Sequence, residues 1–359
     1  MKRIAQFVPL TKLPRKLGCF DYVVENDLAQ QLSPGLIIKI PFAKRNVYGC
    51  FMGFIDTSNF PDPKEIKEIK ILTKLDNYQL SFLSWFHENN FYSLGSTLAL
   101  MQPLPPLKKV KERLKKNEAG SYPQVEKDNL KVAKEILRSK NNRFWISAIN
   151  YELKFKLFRS LLKETDKQVF IFFPDQKTAN NFYETLNPTQ KNIACLITSE
   201  NKRGKSDSYK LWGKIKQNKI KIIIGTRSAS FYLNANVGMI IADNIESDDY
   251  KQWDQTPYYN CLDVLSFAEN ELKCKIIFCS AFPRPETTFN FKNDRYSYVE
   301  IEKNEPSSEQ FMIVDMGQEP KRRYNFLSHP AEKLLHEVIK NKRQVLLLVN
   351  KQGHYSKLV

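Results

Sequence analysis

The chain has 359 residues, 42% of them hydrophobic and 12% aromatic, enough for two or three buried cores and too apolar for a disordered tail. No apolar run approaches the roughly 18 residues of a membrane-spanning helix, and Met1-Lys2-Arg3 leads straight into a strand-like segment without a signal-peptide core, so a soluble cytoplasmic protein without membrane contact is expected. Lys and Arg number 56 against 39 Asp and Glu, and the resulting net charge of +17 favours polyanionic partners, nucleic acid first among them.

Residues 1–106 read as a compact β-rich unit. Alternating or β-branched segments near 2–8, 20–24, 36–40 and 48–55, punctuated by Pro and Gly, predict strands. Leu80, Leu83 and Phe86 recur at helical spacing and predict a helix over about 76–89. Residues 107–127 are charged, poor in large apolar side chains and broken by Gly120 and Pro123, which predicts a linker or a solvated helix. Between 128 and 300 the texture changes. Continuous apolar runs at 169–173, 193–197, 220–224, 237–241 and 276–279 alternate with helical patterns, the mark of a doubly wound parallel sheet covered on both faces. Residues 301–359 predict a helix over about 329–340 and one more buried strand at 344–349, the opening of a further α/β unit with almost no chain after it. The six cysteines form no C-x-x-C pair, and the four histidines lack metal-ligand spacing to them; reduced thiols and no metal are expected, with Cys195 and Cys279 as small core residues.

Several short motifs stand in a definite order. The first unit carries Leu13-Pro14-Arg15, Phe20-Asp21-Tyr22, Pro34-Gly35, Ile38-Lys39-Ile40-Pro41-Phe42 with Lys44-Arg45, Gly49, Glu65-Ile66-Lys67 and Phe91-Tyr92-Ser93-Leu94-Gly95. The second carries Gly225-Thr226-Arg227-Ser228-Ala229 after a strand, then 237–243 leading to Asp249-Tyr250-Lys251-Gln252, and Cys279-Ser280-Ala281-Phe282-Pro283. In this order they resemble the primosomal protein N′ (PriA) family of replication-restart helicases. The resemblance implies a 3′-DNA-binding domain over 1–106, which holds the terminal nucleotide of the nascent strand at a fork. It also implies a RecA-like lobe of the superfamily-two helicase type over 128–300, with a second lobe only begun. The residues suit that chemistry. Asp21 can accept a hydrogen bond from a free 3′-hydroxyl, Phe20 or Tyr22 can offer a face to the last base, Gly35 would let backbone approach closely, and Lys67 would meet a phosphate. Arg15, Lys44, Arg45, Thr226 and Arg227 are expected to add DNA contacts.

Departures from the family pattern concern ATP. A phosphate-binding loop needs glycines, a lysine and a hydroxyl, and no G-x-x-x-x-G-K-[ST] run occurs here. The corresponding stretch, residues 148–155, keeps Lys154 but has no Gly, and Phe155 takes the hydroxyl position. Asp243 remains as a possible Mg²⁺ ligand, whereas the family's water-activating carboxylate is Asn244 here, and Phe282 replaces a Thr. Lys154 and Asp243 thus read as a vestigial nucleotide site with no catalytic residue. The ATP, Mg²⁺ and structural zinc of the family are not expected in this chain, and the family's winged-helix module does not fit the short linker. The leading expectation is an ATPase-deficient reader of forked, 3′-ended DNA in replication restart, with single-strand-binding protein and other primosome proteins as possible partners. An ATP-dependent 3′-to-5′ helicase and a protein–protein scaffold are the alternatives.

Overall fold

The strand-like segments at the start of the chain form one sheet in a computed structural model that describes residues 2–58, 60–105, 127–198, 204–293, 295–301, 312–318 and 327–348. Its strands are β1 (Lys2–Pro9), β2 (Phe20–Glu25), β3 (Leu36–Phe42), β4 (Arg45–Ile55), β5 (Lys64–Ile66) and β6 (Ile71–Lys74), arranged β5-β2-β1-β4-β3-β6. All neighbours are antiparallel except β2 and β5. Successive side chains alternate between faces. Phe7, Tyr22, Ile38 and Phe51 therefore fill one core, together with Ala29 of α1 (Asn26–Ala29), while Val8, Ile37 and Cys50 face a second. That second face is covered by α2 (Asn77–Asn89), whose start is fixed by a capping box between Asp76 and Gln79, and by α3 (Leu94–Met101).

The linker expected at 107–127 lies outside the described residues except Lys127, which opens α4 (Lys127–Arg138). There follow β7 (Arg143–Ser147), α5 (Tyr151–Lys163), β8 (Gln168–Phe172), α6 (Gln176–Glu184), α7 (Pro188–Asn192), β9 (Ala194–Ile197), α8 (Lys205–Lys216) and β10 (Ile222–Gly225). Then come β11 (Val237–Asp243), a short ribbon of β12 (Lys251–Gln252) and β13 (Tyr259–Asn260), α9 (Cys261–Leu272), β14 (Lys275–Ser280), α10 (Pro285–Lys292) and β15 (Ser297–Glu300). The seven long strands form a wholly parallel sheet, ordered β15-β7-β14-β11-β8-β10-β9. Strands β8, β9 and β10 are buried at every residue, which is why they read as continuous apolar runs. This is the parallel α/β lobe that the sequence predicted over 128–300.

The lobe and the first domain share a core. Phe82 and Phe86 of α2 meet Phe231 at 6.2 and 5.5 Å between ring centroids, Phe86 meets Tyr259 at 5.7 Å, and Trp85 stacks on Phe267 of α9 at 4.5 Å. Asp76 also accepts the Ala235 N–H at 3.1 Å. The reading of 1–106 as a unit tethered by a linker missed this junction.

Residues 304–359 form a second unit, in which α11 (His329–Lys340) stands where a helix was predicted. The strand predicted at 344–349 is not formed at 344–348, and Val349 lies outside the described residues. A strand needs a neighbour for its backbone hydrogen bonds, and none pairs with this segment among the described residues; Leu346 and Leu348 are 82% and 89% exposed. Among the described residues no helix is long and apolar enough to cross a membrane.

Candidate nucleic-acid interface

Asp21 is the second residue of β2 and is only 4% exposed. Its register partner on β1 is Gln6, whose own partner on β4 is Gly53. Such neighbours share a face of the sheet. Gln6 donates its amide to Asp21 Oδ1 at 3.1 Å, and the Ser58 hydroxyl donates to Oδ2 at 3.0 Å. A carboxylate offers several acceptor positions on its two oxygens. Gly53 leaves open space where a side chain would stand.

Phe20 faces the other way, because strand side chains alternate. Its ring stacks on Phe60 (5.6 Å, 13°) and meets the edge of Phe42 (5.0 Å, 90°). The Phe60 N–H donates to Ser58 Oγ at 3.0 Å. One short segment therefore carries both the hydroxyl bound to Asp21 and the ring stacked on Phe20. Phe60 is 38% exposed and offers its free face to a base; nothing in the sequence pattern marked it. Phe42 leads into the turn of Ala43 and Lys44 before Arg45, so the cations of Lys44 and Arg45, both exposed, flank this aromatic group. Lys64 at the start of β5 bonds the Ala43 carbonyl and holds the turn against that strand.

Other expected residues lie elsewhere. Tyr22 is 3% exposed, edge-on to Phe7 at 5.6 Å, and burial holds its phenol well above the ordinary value; it is a core residue and offers no face to a base. Gly35 is also a correction. It precedes β3, near the opposite edge of the sheet, with φ +88°, and a Cβ there would lie 2.8 Å from the Leu75 carbonyl. The close approach it permits is to the protein's own backbone. Lys67 is exposed and shares a groove of about 270 Å³ with Lys39 and Lys70. Arg15 lies over the exposed ring of Phe91 at 4.4 Å.

In the lobe, Thr226 is 9% exposed at the carboxyl end of β10. The Arg227 guanidinium is occupied, donating to Gln252 Oε1 at 3.2 Å and the Asp249 carbonyl at 3.0 Å. The expected DNA contact of Arg227 thus competes with a bond that ties two loops together.

Lys154 and Asp243 meet, as their motif positions imply, but they meet each other. Lys154 Nζ lies 2.7 Å from Asp243 Oδ1, the side chains 4% and 0% exposed, and 4.2 Å from the Tyr151 ring centroid. Burial raises the Asp243 carboxyl above its usual range, opposed by the Lys154 ammonium, the Asn244 N–H and the Cys279 thiol. The N–H groups of Glu152 and Leu153 at the start of α5 donate to Asn150 Oδ1 at 2.8 and 3.3 Å. In a nucleotide site such donors would face phosphates. Phe155, in the hydroxyl position, packs against Phe173 and Phe182. Lys154 and the two helix-end donors are satisfied within the chain and Phe155 fills the hydroxyl position, which does not suit a nucleotide, although Asp243 Oδ2 is buried without a hydrogen-bond partner among the described residues. Glu246 is engaged too, bound by the Arg284 guanidinium at 3.0 Å and by Thr287 at 3.1 Å.

A family model described as the 3′ DNA-binding domain (3′BD) matches residues 8–103. The replication restart protein PriA of Rickettsia felis is 27% identical over 94% of this chain and 53% of its own length, and that of Borreliella burgdorferi 23% identical over 82% and 46%. The chain thus spans about half the length of the curated relatives it matches. Among solved structures the UvsW helicase from bacteriophage T4 overlaps in part, with 15% identity and a TM-score of 0.33 over 52% of this chain and 64% of that one. That overlap is too loose to add to the strand order itself. The matched domain and the relatives aligned along nearly the whole sequence point the same way: residues 8–103 match a 3′ DNA-binding domain, and the chain is similar to PriA replication restart proteins along most of its length.

Proposed function

We propose that this protein reads the 3′ end of the nascent strand at forked DNA during replication restart, and that its helicase lobe supports this without hydrolysing ATP. The observation that carries the reading is Asp21, a nearly buried carboxylate held by Gln6 and Ser58 beside the open space over Gly53. A fixed acceptor suits a lone hydroxyl, which occurs at a strand end and not in its interior. Phe60 stacked on Phe20 adds a face for the last base, and Lys44, Arg45 and Lys67 supply charge for its phosphates. The same reading puts the protein in the cytoplasm, with single-strand-binding protein and primosome components as partners, and without ATP, Mg²⁺ or zinc as cofactors of these residues. Asp21→Ala is expected to weaken binding to a fork with a free 3′-hydroxyl by about tenfold or more, the worth of a hydrogen bond to a charged group. It should not weaken binding to a fork with a 3′-phosphate, and should strengthen it as the repelling Asp21 charge is lost. Equal losses on the two forks in an anisotropy titration would count against the site, and Asp21→Asn, which keeps the shape, separates loss of charge from loss of fold.

A second reading, an ATP-driven helicase, draws on the survival of Lys154 and Asp243 side by side. It requires DNA-stimulated ATP hydrolysis that Lys154→Ala abolishes. The expected result is no hydrolysis above the rate of that variant.

A further inference from the structure

A groove of about 570 Å³ opens between β6 of the first domain and α8 of the lobe. Its walls include Thr73, Tyr209, Lys210, Lys214, Lys216 and Lys219, and none of the residues lining it is acidic. Lys216 is engaged: its ammonium reaches Thr73 Oγ1 at 3.5 Å and the Lys74 carbonyl, and lies over the Trp212 ring at 4.8 Å. It ties the two domains together. Lys210, Lys214 and Lys219 make no side-chain hydrogen bond or ion pair with any described residue. Asp76 is the carboxylate that acts on Lys216, and it is committed, capping α2 and accepting the Ala235 N–H.

Lys210 and Lys214 stand four residues apart on α8, where like charges repel and destabilise the helix. The acid nearest in sequence on the helix, Asp207 three residues before Lys210, forms no ion pair with that lysine. Tyr209 stacks on Trp212 at 6.3 Å and 20°, and Trp212 is 6% exposed, so the wall beneath the lysines is rigid. The position is separate from the sites already described. The groove lies where α8 ends ahead of β10, toward the amino-terminal end of the parallel strands; Lys154, Asp243 and Thr226 gather at the carboxyl end.

We propose that this groove is a second nucleic-acid contact, in which Lys210, Lys214 and Lys219 hold the phosphodiester backbone of a DNA arm across the junction of the two domains. It adds affinity without reading sequence or strand end, because lysine meets phosphate as a point charge. The proposal rests on the reading of the protein as a DNA binder, and its test separates the two.

The test uses the full chain and two forks, one ending in a 3′-hydroxyl and one in a 3′-phosphate, titrated over a range of salt. Replacing all three lysines by Gln is expected to weaken both forks by the same factor and to lower the slope of log affinity against log salt by about 2–3, near 0.9 for each phosphate that a lysine no longer neutralises. Replacing them by Arg should retain the slope. Any preference for the 3′-hydroxyl should survive the Gln substitutions, since it belongs to Asp21. An unchanged slope and affinity in the Gln variant would overturn the proposal. So would competition by poly-glutamate for the groove while DNA affinity stays unchanged, which would assign the lysines to an acidic protein partner.

Discussion

Lys154→Ala is expected to lower the stability of the folded chain by about 3–5 kcal/mol, because it leaves the Asp243 carboxylate buried without its partner. Asp243 is 0% exposed, and the remaining donors near it are a backbone N–H and a thiol. In a lobe that uses ATP this lysine must be free to meet phosphates. Here the pair cross-links α5 to the end of β11, and its loss should register in urea denaturation as a lower midpoint with an unchanged slope. Replacing both partners with apolar residues, Lys154→Met with Asp243→Leu, should recover most of that loss, since no charge is then stranded. A Lys154→Ala variant as stable as the parent would show that the pair supports nothing.

The second large effect is expected at the junction. Phe86 is fully buried and packs against Phe82 at 5.3 Å, Phe231 at 5.5 Å and Tyr259 at 5.7 Å, so Phe86→Ala should cost about 3–5 kcal/mol. Two of those rings belong to the lobe. The first domain and the lobe should therefore melt together in the parent protein, and calorimetry of Phe86→Ala should show the transition shifted down and broadened or split. Trp85→Ala removes the 4.5 Å stack on Phe267 from a half-buried position and should cost less. Two well-separated transitions already present in the parent would mean that the shared core does not couple the domains.

Much of this architecture was legible because it rests on local period. Strands β1 to β4 are rich in β-branched and aromatic residues between Pro and Gly, β8 to β10 are continuous apolar runs, and α2 shows its helical stripe. Strands β5 and β6 were not legible: they have three and four residues, lie at the sheet edges and are largely exposed. Strand β7 hid behind Arg143, whose charge is met by Glu269 at 2.6 Å from far along the chain. The aromatic excess of α2, with Tyr78, Phe82, Trp85 and Phe86, was a readable sign of burial on more than one side, but which surface it meets depends on α9 and Phe231.

Asp21, Lys154 and Asp243 were singled out by motif order, and strand alternation already implied that Phe20 and Tyr22 turn away from Asp21. Tyr22 consequently serves the core. Ser58 and Phe60 sit in a stretch with no period of its own, and only the fold brings them to β2. The strand expected at 344–349 is not formed over its described residues, 344–348, for want of a neighbour rather than of β-forming residues.

The most direct test of strand-end reading is the affinity of the unmodified protein for two forks that differ only in a 3′-hydroxyl or a 3′-phosphate on the nascent strand, measured by fluorescence anisotropy at near-physiological salt. The expected result is a preference for the hydroxyl of about tenfold or more, as a hydrogen bond to the Asp21 carboxylate is gained on one side and a charge repelled on the other. Equal affinity for the two forks would contradict it, leaving a basic protein that binds DNA without sensing its ends.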